Sequence, residues 1–371
     1  MKTVVHAIDQ LKMGGAQTHL LTILKEMKKQ HPEDRHVLIV LFDEAAFTAE
    51  LEELSLSPVL LHLNPFLEKR DFMGALRKIK KCLQSVQPDV VETHLTWSRL
   101  LVNTAAKQLK ISNRIGFEQG DIYMNSLKMR MANYISQFFF QHIIVCSDAL
   151  KDWVIKTHKI KPGKLKVMYN CVSLEKFQPI NQKDLASYLA LKNPLPTYMF
   201  VTVGTMGKGV NKRMDLSIKA IAELRKQGVD AGLVICGDGK KRNELEALVD
   251  KYNVKDSILF LGNRSDVAQI LPHCFAYVHS APYEPFGIVC IEAMASGLPV
   301  VLPNSGGIQY IINNNVEGKI YKSLDVEQLS LKMKELTANS DDYQRIKTAA
   351  IKGVQKYGVS AYVKELYDLY E

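Results

Sequence analysis

The feature that most restricts this chain is one pattern that runs through it twice. Short β-branched runs alternate with amphipathic helical stretches, break once, and begin again. Such alternation calls for parallel strands, because parallel neighbours need a long crossover that a helix supplies. In the first half strands are expected near Val4–Ile8, Val37–Phe42, Val59–Leu63, Val90–Thr93, Arg114–Phe117, Ile143–Cys146 and Leu165–Met168. In the second they are expected near Met199–Val203, Ala231–Cys236, Ile258–Leu261, Ala276–Ser280 and Pro299–Leu302. Helical patterns fill the intervals, among them Ala16–Lys29, Phe72–Ser85, Leu127–Phe139, Met214–Lys226 and Ile288–Ser296. The break lies between Val172 and Tyr198, where Pro179, Asn181, Asn193, Pro194 and Pro196 give a turn-rich linker. A chain of 371 residues has the material for two such α/β cores, placed at 1–175 and 176–356. Open α/β sheets take ligands beyond the carboxyl ends of their strands, so two in series imply a cleft.

Composition narrows the setting. The strongest apolar runs, Val37 to Phe42 and Phe138 to Phe140, fall far short of the roughly 18 residues a spanning helix needs. Met1-Lys2 leads into a strand-like run and not a secretory signal, so a cytoplasmic protein is expected. The six cysteines are scattered without metal-ligand spacing and read as small buried hydrophobes. The net charge of +9 is carried mostly before Val172, which suits an anionic acceptor or the inner face of an anionic membrane. Phe72–Ser85 carries Arg77, Lys78, Lys80 and Lys81, and 124–140 mixes Lys128 and Arg130 with Met and Phe. Nucleic acid is not an expected partner.

The most informative stretch is Tyr283-Glu284-Pro285-Phe286-Gly287-Ile288-Val289-Cys290-Ile291-Glu292, after a strand and leading into a helix. The amides that open that helix favour a phosphate or sugar oxygen. Glu292 is a lone carboxylate among apolar helix residues, and a ligand hydroxyl such as a ribose diol would partner it. Upstream, Gly204-Thr205-Met206-Gly207-Lys208-Gly209-Val210-Asn211-Lys212-Arg213 is a glycine-rich loop with three cations, suited to a diphosphate but neither G-x-G-x-x-G nor a Walker loop. Gly14-Gly15 forms a tight turn after the first strand, and His94 follows the strand ending at Thr93.

These residues resemble the retaining glycosyltransferases of family 4, with Glu284 and Glu292 as the carboxylates of the E-x7-E signature. The segments ICGDGKKRNEL, ILFLGNRSDV, AYVHSAPYEPFG and PNSGGIQYII agree in order and spacing. The resemblance implies a GT-B fold, two Rossmann-like doubly wound domains facing across a cleft. The last helix, in 357–371, then crosses back to the first, acceptor-binding domain, and the second binds nucleotide sugar. It makes Glu284 a contact to donor-sugar hydroxyls and Glu292 a contact to the nucleotide ribose. It turns the amides of Phe286, Gly287 and Ile288 toward diphosphate or sugar, and sets Lys212 on the diphosphate. Gly204, Thr205 and Arg213 join that donor set, Gly15 approaches the donor phosphate, and base contacts are expected along Gly262, Asn263 and Arg264. His94, Gln119 and Asp121 fall on the acceptor side, with His94, Glu284 and Lys212 as the catalytic group. Three positions depart from the family pattern: Thr205 stands where an arginine is usual, Gln119 where a histidine is usual, and Cys171 replaces the glycine of N-G-V. Lys208 or Arg213 would then supply the second phosphate cation.

The expected chemistry is transfer of a sugar from a nucleoside diphosphate sugar, UDP-sugar favoured, to a glycan or lipid-linked acceptor. Retention and independence of metal and cofactor are expected, the latter because no D-x-D motif occurs in an acidic neighbourhood. The setting is cell-envelope or capsular glycan assembly. A nucleotide-sugar epimerase and a non-catalytic nucleotide-sugar-binding protein on the same fold are the alternatives.

Overall fold

The computed structural model describes residues 1–12, 14–42, 48–120, 127–182, 184–207 and 212–371, without the side chains of Thr48 and Met129. The β-branched runs of the first half become β1 (Thr3–Ile8), β2 (Arg35–Val40), β3 (Val59–Leu60), β4 (Val90–His94), β5 (Asn113–Glu118), β6 (His142–Val145) and β7 (Leu165–Val167). They pair in the order β3-β2-β1-β4-β5-β6-β7, every pair parallel. The second half gives β8 (Tyr198–Val203), β9 (Ala231–Cys236), β10 (Ile258–Gly262), β11 (Ala276–Val278), β12 (Val300–Pro303) and β13 (Gly318–Tyr321). Their order is β10-β9-β8-β11-β12-β13, again parallel throughout. The α/β class with two doubly wound parallel sheets is therefore as expected.

Two differences have simple causes. β13 was not expected, because Gly318-Lys319-Ile320-Tyr321 lacks a β-branched run. Its Lys319 is nonetheless buried, held by Glu335 at 3.3 Å and Asp342 at 3.6 Å. β11 stops at Val278, two residues early, which moves His279 and Ser280 off the strand end.

The chain divides into two compact units, Met1–Asn170 with Val359–Glu371, and Cys171–Gly358. In the first, one sheet face is covered by helices Phe72–Val86 and Thr96–Gln108, which bury Val5, Ala7, Ile39, Val91 and Ala105. Helix Gly15–Gln30 packs against the last helix, Val359–Tyr367, whose Val359, Tyr362, Val363 and Leu366 are buried. In the second unit helices Met214–Lys226 and Val326–Ala338 pack together over Phe200, Leu233, Ile235 and Val301. Each sheet has one reversal of strand order, β1 between β2 and β4, and β8 between β9 and β11. Backbone amides and carbonyls splay apart there, and functional side chains gather at the carboxyl ends of these strands.

Candidate functional site

In the second unit the site starts where β8 ends. The Lys212 side chain lies along Gly204, so close that a Cβ there would meet Lys212 Cγ at 3.1 Å. The Lys212 carbonyl accepts from Ser280 Oγ at 2.9 Å, and Ser280 Oγ in turn accepts from Ser217 Oγ at 3.1 Å. The residues just past β11 thus fix the lysine from behind, and its ammonium meets Glu284 Oε2 at 2.5 Å.

Glu284 is held through its backbone. Its carbonyl accepts from Gly307 N at 2.8 Å, and a Cβ on Gly306 (φ +63) would strike that carbonyl oxygen at 2.4 Å. Only glycine allows the two loops to touch here. His279 completes the cluster: Nε2 lies 3.5 Å from Glu284 Oε2, Nδ1 lies 2.9 Å from the Tyr277 hydroxyl, and the His279 carbonyl accepts from Tyr321. Burial pushes the Glu284 carboxyl upward, but Lys212 and His279 outweigh it and hold the group ionised, at about 2. Burial and the neighbouring Lys212 hold His279 below its ordinary value. His279 carried no sequence signal beyond its place in the strand-to-loop step HSAPYEPFG.

Helix Ile288–Ala295 follows, with Gly287 as its N-cap residue (φ +94). Its first amides have no carbonyl a turn earlier to bond and are aligned with the positive end of the helix dipole. Phe286 is buried edge-to-face on Tyr357, ring centroids 5.5 Å apart, so its side chain belongs to the packing beneath the helix start. Glu292 lies on the same helix among buried Cys290, Ile291, Ala293 and Met294. Burial raises its carboxyl to about 7 against the weaker pull of Lys176, and among the described residues no donor hydrogen-bonds to it.

Two expected cations are already engaged. The Arg213 guanidinium is bidentate on Asp215, at 2.8 and 3.0 Å, and Arg264 binds Asp266 the same way, at 2.7 and 2.5 Å. Each arginine is followed two residues on by its aspartate, in Arg213-Met214-Asp215 and Arg264-Ser265-Asp266. Gly262 (φ +66) accepts from Gly237 N at 2.7 Å, while Thr205 and Asn263 are exposed. Lys208 lies outside the described residues. Beside Lys212 a cavity of about 300 Å³ is lined by Thr205, Arg213, Asp215, Lys219, Lys241 and Glu244 among others, with cations in excess.

The first unit has its own cluster at the ends of β1, β4 and β5. Gly15 is exposed at the start of its helix, and Gln119 Nε2 lies 2.8 Å from His19 Nδ1. His94 ends β4 but is 1% exposed, its ring stacked on Phe117 at 4.3 Å. Burial and His6 hold its imidazole neutral, at about 3. A side chain so enclosed packs into the interior of the first unit, where the sequence reading sets an acceptor-side histidine. Asp121 lies outside the described residues. Asp9, not singled out from the sequence, accepts from Trp97 N at 3.0 Å and Ser98 N at 2.6 Å, tying the end of β1 to the helix after β4. Its signal was an acid immediately after a strand, the position of a capping residue.

Comparison with known proteins gives the family and the fold. The Glycosyltransferase Family 4 model matches residues 13–176, and the model for glycosyl transferases group 1 matches residues 191–353, between them most of the chain. The chain belongs to the family 4 glycosyltransferases. This glycosyltransferase is 25% identical over 308 residues to the UDP-Gal:alpha-D-GlcNAc-diphosphoundecaprenol alpha-1,3-galactosyltransferase of Escherichia coli, covering 80% of the chain and 79% of that protein. It is 29% identical over 206 residues to an uncharacterised glycosyltransferase of Methanocaldococcus jannaschii; that match covers 54% of the chain and 52% of its relative. The glycosyltransferase also superposes on the crystal structure of Anabaena HepE in complex with UDP and glucose, with a TM-score of 0.84 and 18% identity over 99% of both chains. The fold is GT-B.

Proposed function

We propose that this glycosyltransferase moves a hexosyl group from a nucleoside diphosphate sugar, UDP-sugar favoured, to a lipid-linked or glycan acceptor, with retention and without a catalytic metal. The observation that carries the reading is the Lys212–Glu284–His279 cluster at the switch point of the second sheet, beside a helix N-terminus. The carbon–oxygen bond to the diphosphate breaks, the acceptor oxygen bonds to the same carbon, and the acceptor proton passes to the leaving phosphate. Charge then grows on the diphosphate, where Lys212 and the amides of Gly287 and Ile288 stabilise it. Glu284, kept ionised, accepts from sugar hydroxyls, and Glu292 accepts from the ribose diol. Arg213 and Arg264 are paired to their own aspartates and Lys212 to Glu284; Lys212 is the phosphate cation of this reading because its partner is itself a donor-sugar contact, and the exposed Thr205 leaves room for the donor. Gly15, Gln119 and Asp121 serve the first unit's part, with His94 supporting them from the interior.

The Escherichia coli relative, a galactosyltransferase named for a diphosphoundecaprenol acceptor, supports a lipid-linked substrate and envelope glycan assembly. No helix among the described residues is long and apolar enough to cross a membrane. Helix Leu127–Ser136 and the turn after it expose Leu127, Met131, Tyr134, Ile135 and Phe138 at helical spacing, an apolar stripe beside Lys128 suited to the surface of an anionic leaflet. The donor assignment is tested by thermal shift with UDP, GDP, ADP and their sugars, followed by the anomeric configuration of the product. Stabilisation by uridine nucleotides and an α-linked product from an α-linked donor are expected. No response to any nucleotide, or an isomerised sugar formed without acceptor, overturns the reading.

A further inference from the structure

A second group of polar side chains lies buried in the first unit. His6 on β1 and Glu92 on β4 are register partners, and His94 follows Glu92 by two residues, so all three project from one sheet face. His6 Nδ1 and Glu92 Oε2 approach to 2.7 Å without hydrogen-bonding alignment, and His94 Nε2 lies 4.0 Å from the same oxygen. Each of these three atoms is buried and has no hydrogen-bond partner among the described residues. Buried orphan atoms are rare singly, and three converging within 4.8 Å of one another call for a shared partner.

Two of the three outward atoms are satisfied as those of metal ligands usually are, while His94 Nδ1 is buried with no hydrogen-bond partner among the described residues. His6 Nε2 lies 3.1 Å from His36 Nδ1, and Glu92 Oε1 accepts from the Tyr370 hydroxyl at 2.5 Å. Such bonds fix ring orientation and carboxylate direction around a cation. A hydrogen-bonded ion pair between His6 and Glu92 alone would leave His94 with nothing to face. Atoms bonded at ~2.1 Å to one cation sit roughly 3–4 Å apart, so a small rotation of each side chain accommodates it.

We propose that His6, Glu92 and His94 bind one zinc-class divalent cation, a structural site that ties the C-terminal segment to the first sheet through Tyr370. Two imidazole nitrogens and one carboxylate oxygen select zinc-class metals over Mg²⁺ or Ca²⁺, which prefer all-oxygen shells. The site shares no residue with the Lys212–Glu284–His279 cluster, and the cation supplies no step of the transfer.

The test uses the full chain with any affinity tag removed, stripped with a chelator and then titrated with Zn²⁺, Mg²⁺ or Ca²⁺. One equivalent of Zn²⁺ retained after desalting and a Tm rise of about 5–10 °C are expected, with no rise from Mg²⁺ or Ca²⁺. Glu92→Gln, which keeps an acceptor for Tyr370, and His94→Gln should each abolish the rise. Wild-type protein that neither retains Zn²⁺ nor melts higher with it overturns the proposal, whatever the variants do. So does a rise that persists undiminished in both variants.

Discussion

At the scale of single residues, Lys212 and Glu284 act as one unit. The ammonium keeps a buried carboxylate ionised, and the carboxylate keeps the lysine at the strand end. Lys212→Ala is expected to lower kcat/KM by about 10²–10³-fold, as loss of one preorganised charge-stabilising group does. Glu284→Gln should cost a similar factor, and the double variant much less than the product of the two, measured from initial rates in a double-mutant cycle. Additive effects would mean the residues work apart. Glu292 makes a different prediction through its raised carboxyl. Between its unfolded value near 4.5 and its folded value near 7 the native state holds the extra proton, so stability falls as pH rises through that window. Glu292→Gln should therefore match wild type below pH 4.5 and exceed it at pH 8, by of order 3 kcal/mol at most, in urea titrations. Nucleotide should reverse the penalty. UDP is expected to bind more tightly from pH 6 to 8 in wild type but not in Glu292→Gln, with 2′-deoxy-UDP showing a smaller gain.

At the scale of elements, close backbone contact organises the donor loops. Gly306 has no room for a Cβ against the Glu284 carbonyl, whereas Gly228, also at positive φ (+77), would meet nothing within 4 Å. Gly228→Ala should cost about 1 kcal/mol and leave activity intact. Gly306→Ala should cost more and depress kcat, because the loop that carries Glu284 must shift; steady-state rates beside melting curves distinguish the two. The exposed stripe on Leu127–Ser136 predicts that Met131→Glu with Ile135→Glu abolishes flotation with anionic vesicles, while Tm stays within about 2 °C.

Elements also mark what the sequence could and could not tell. Parallel strands buried on both faces, such as Ala231–Cys236, advertise themselves as continuous apolar runs, and so both sheets were legible. Gly318–Tyr321 was not, since its pairing with β12 and its buried lysine are tertiary facts. The helices Thr48–Glu53, Asn64–Glu68 and Leu185–Tyr188 are too short for periodicity to register. In the site, the Lys212 and Glu284 motifs mark two loops whose side chains meet, and Glu292 lies on the helix that follows. Residue type alone did not reveal that Arg213 and Arg264 would prefer an aspartate two positions on, or that His94 would be enclosed.

At the scale of the whole molecule, the chain enters one unit, leaves it for a second, and returns to the first with Val359–Glu371. That return buries Tyr362, Val363, Leu366 and Tyr370, and Tyr367 stacks on His31 at 3.7 Å while donating to Asp34 at 3.0 Å. At about 1.5–3 kcal/mol for each fully buried large side chain, the segment is worth a sizeable part of the 5–15 kcal/mol that stabilises a typical domain. Truncation after Gly358 should make the first unit susceptible to limited proteolysis while leaving the second resistant, which mass mapping of the fragments will show.

The same return fixes an order of events during synthesis. When the ribosome has finished residue 170, the first sheet exists in full, yet the segment that roofs its histidine-lined face is still some 190 residues from being made. The second unit has everything it requires to fold first, though it is encoded later. A nascent first half must wait, partly uncovered, for the last residues to arrive, and is the part of this molecule on which a chaperone would act.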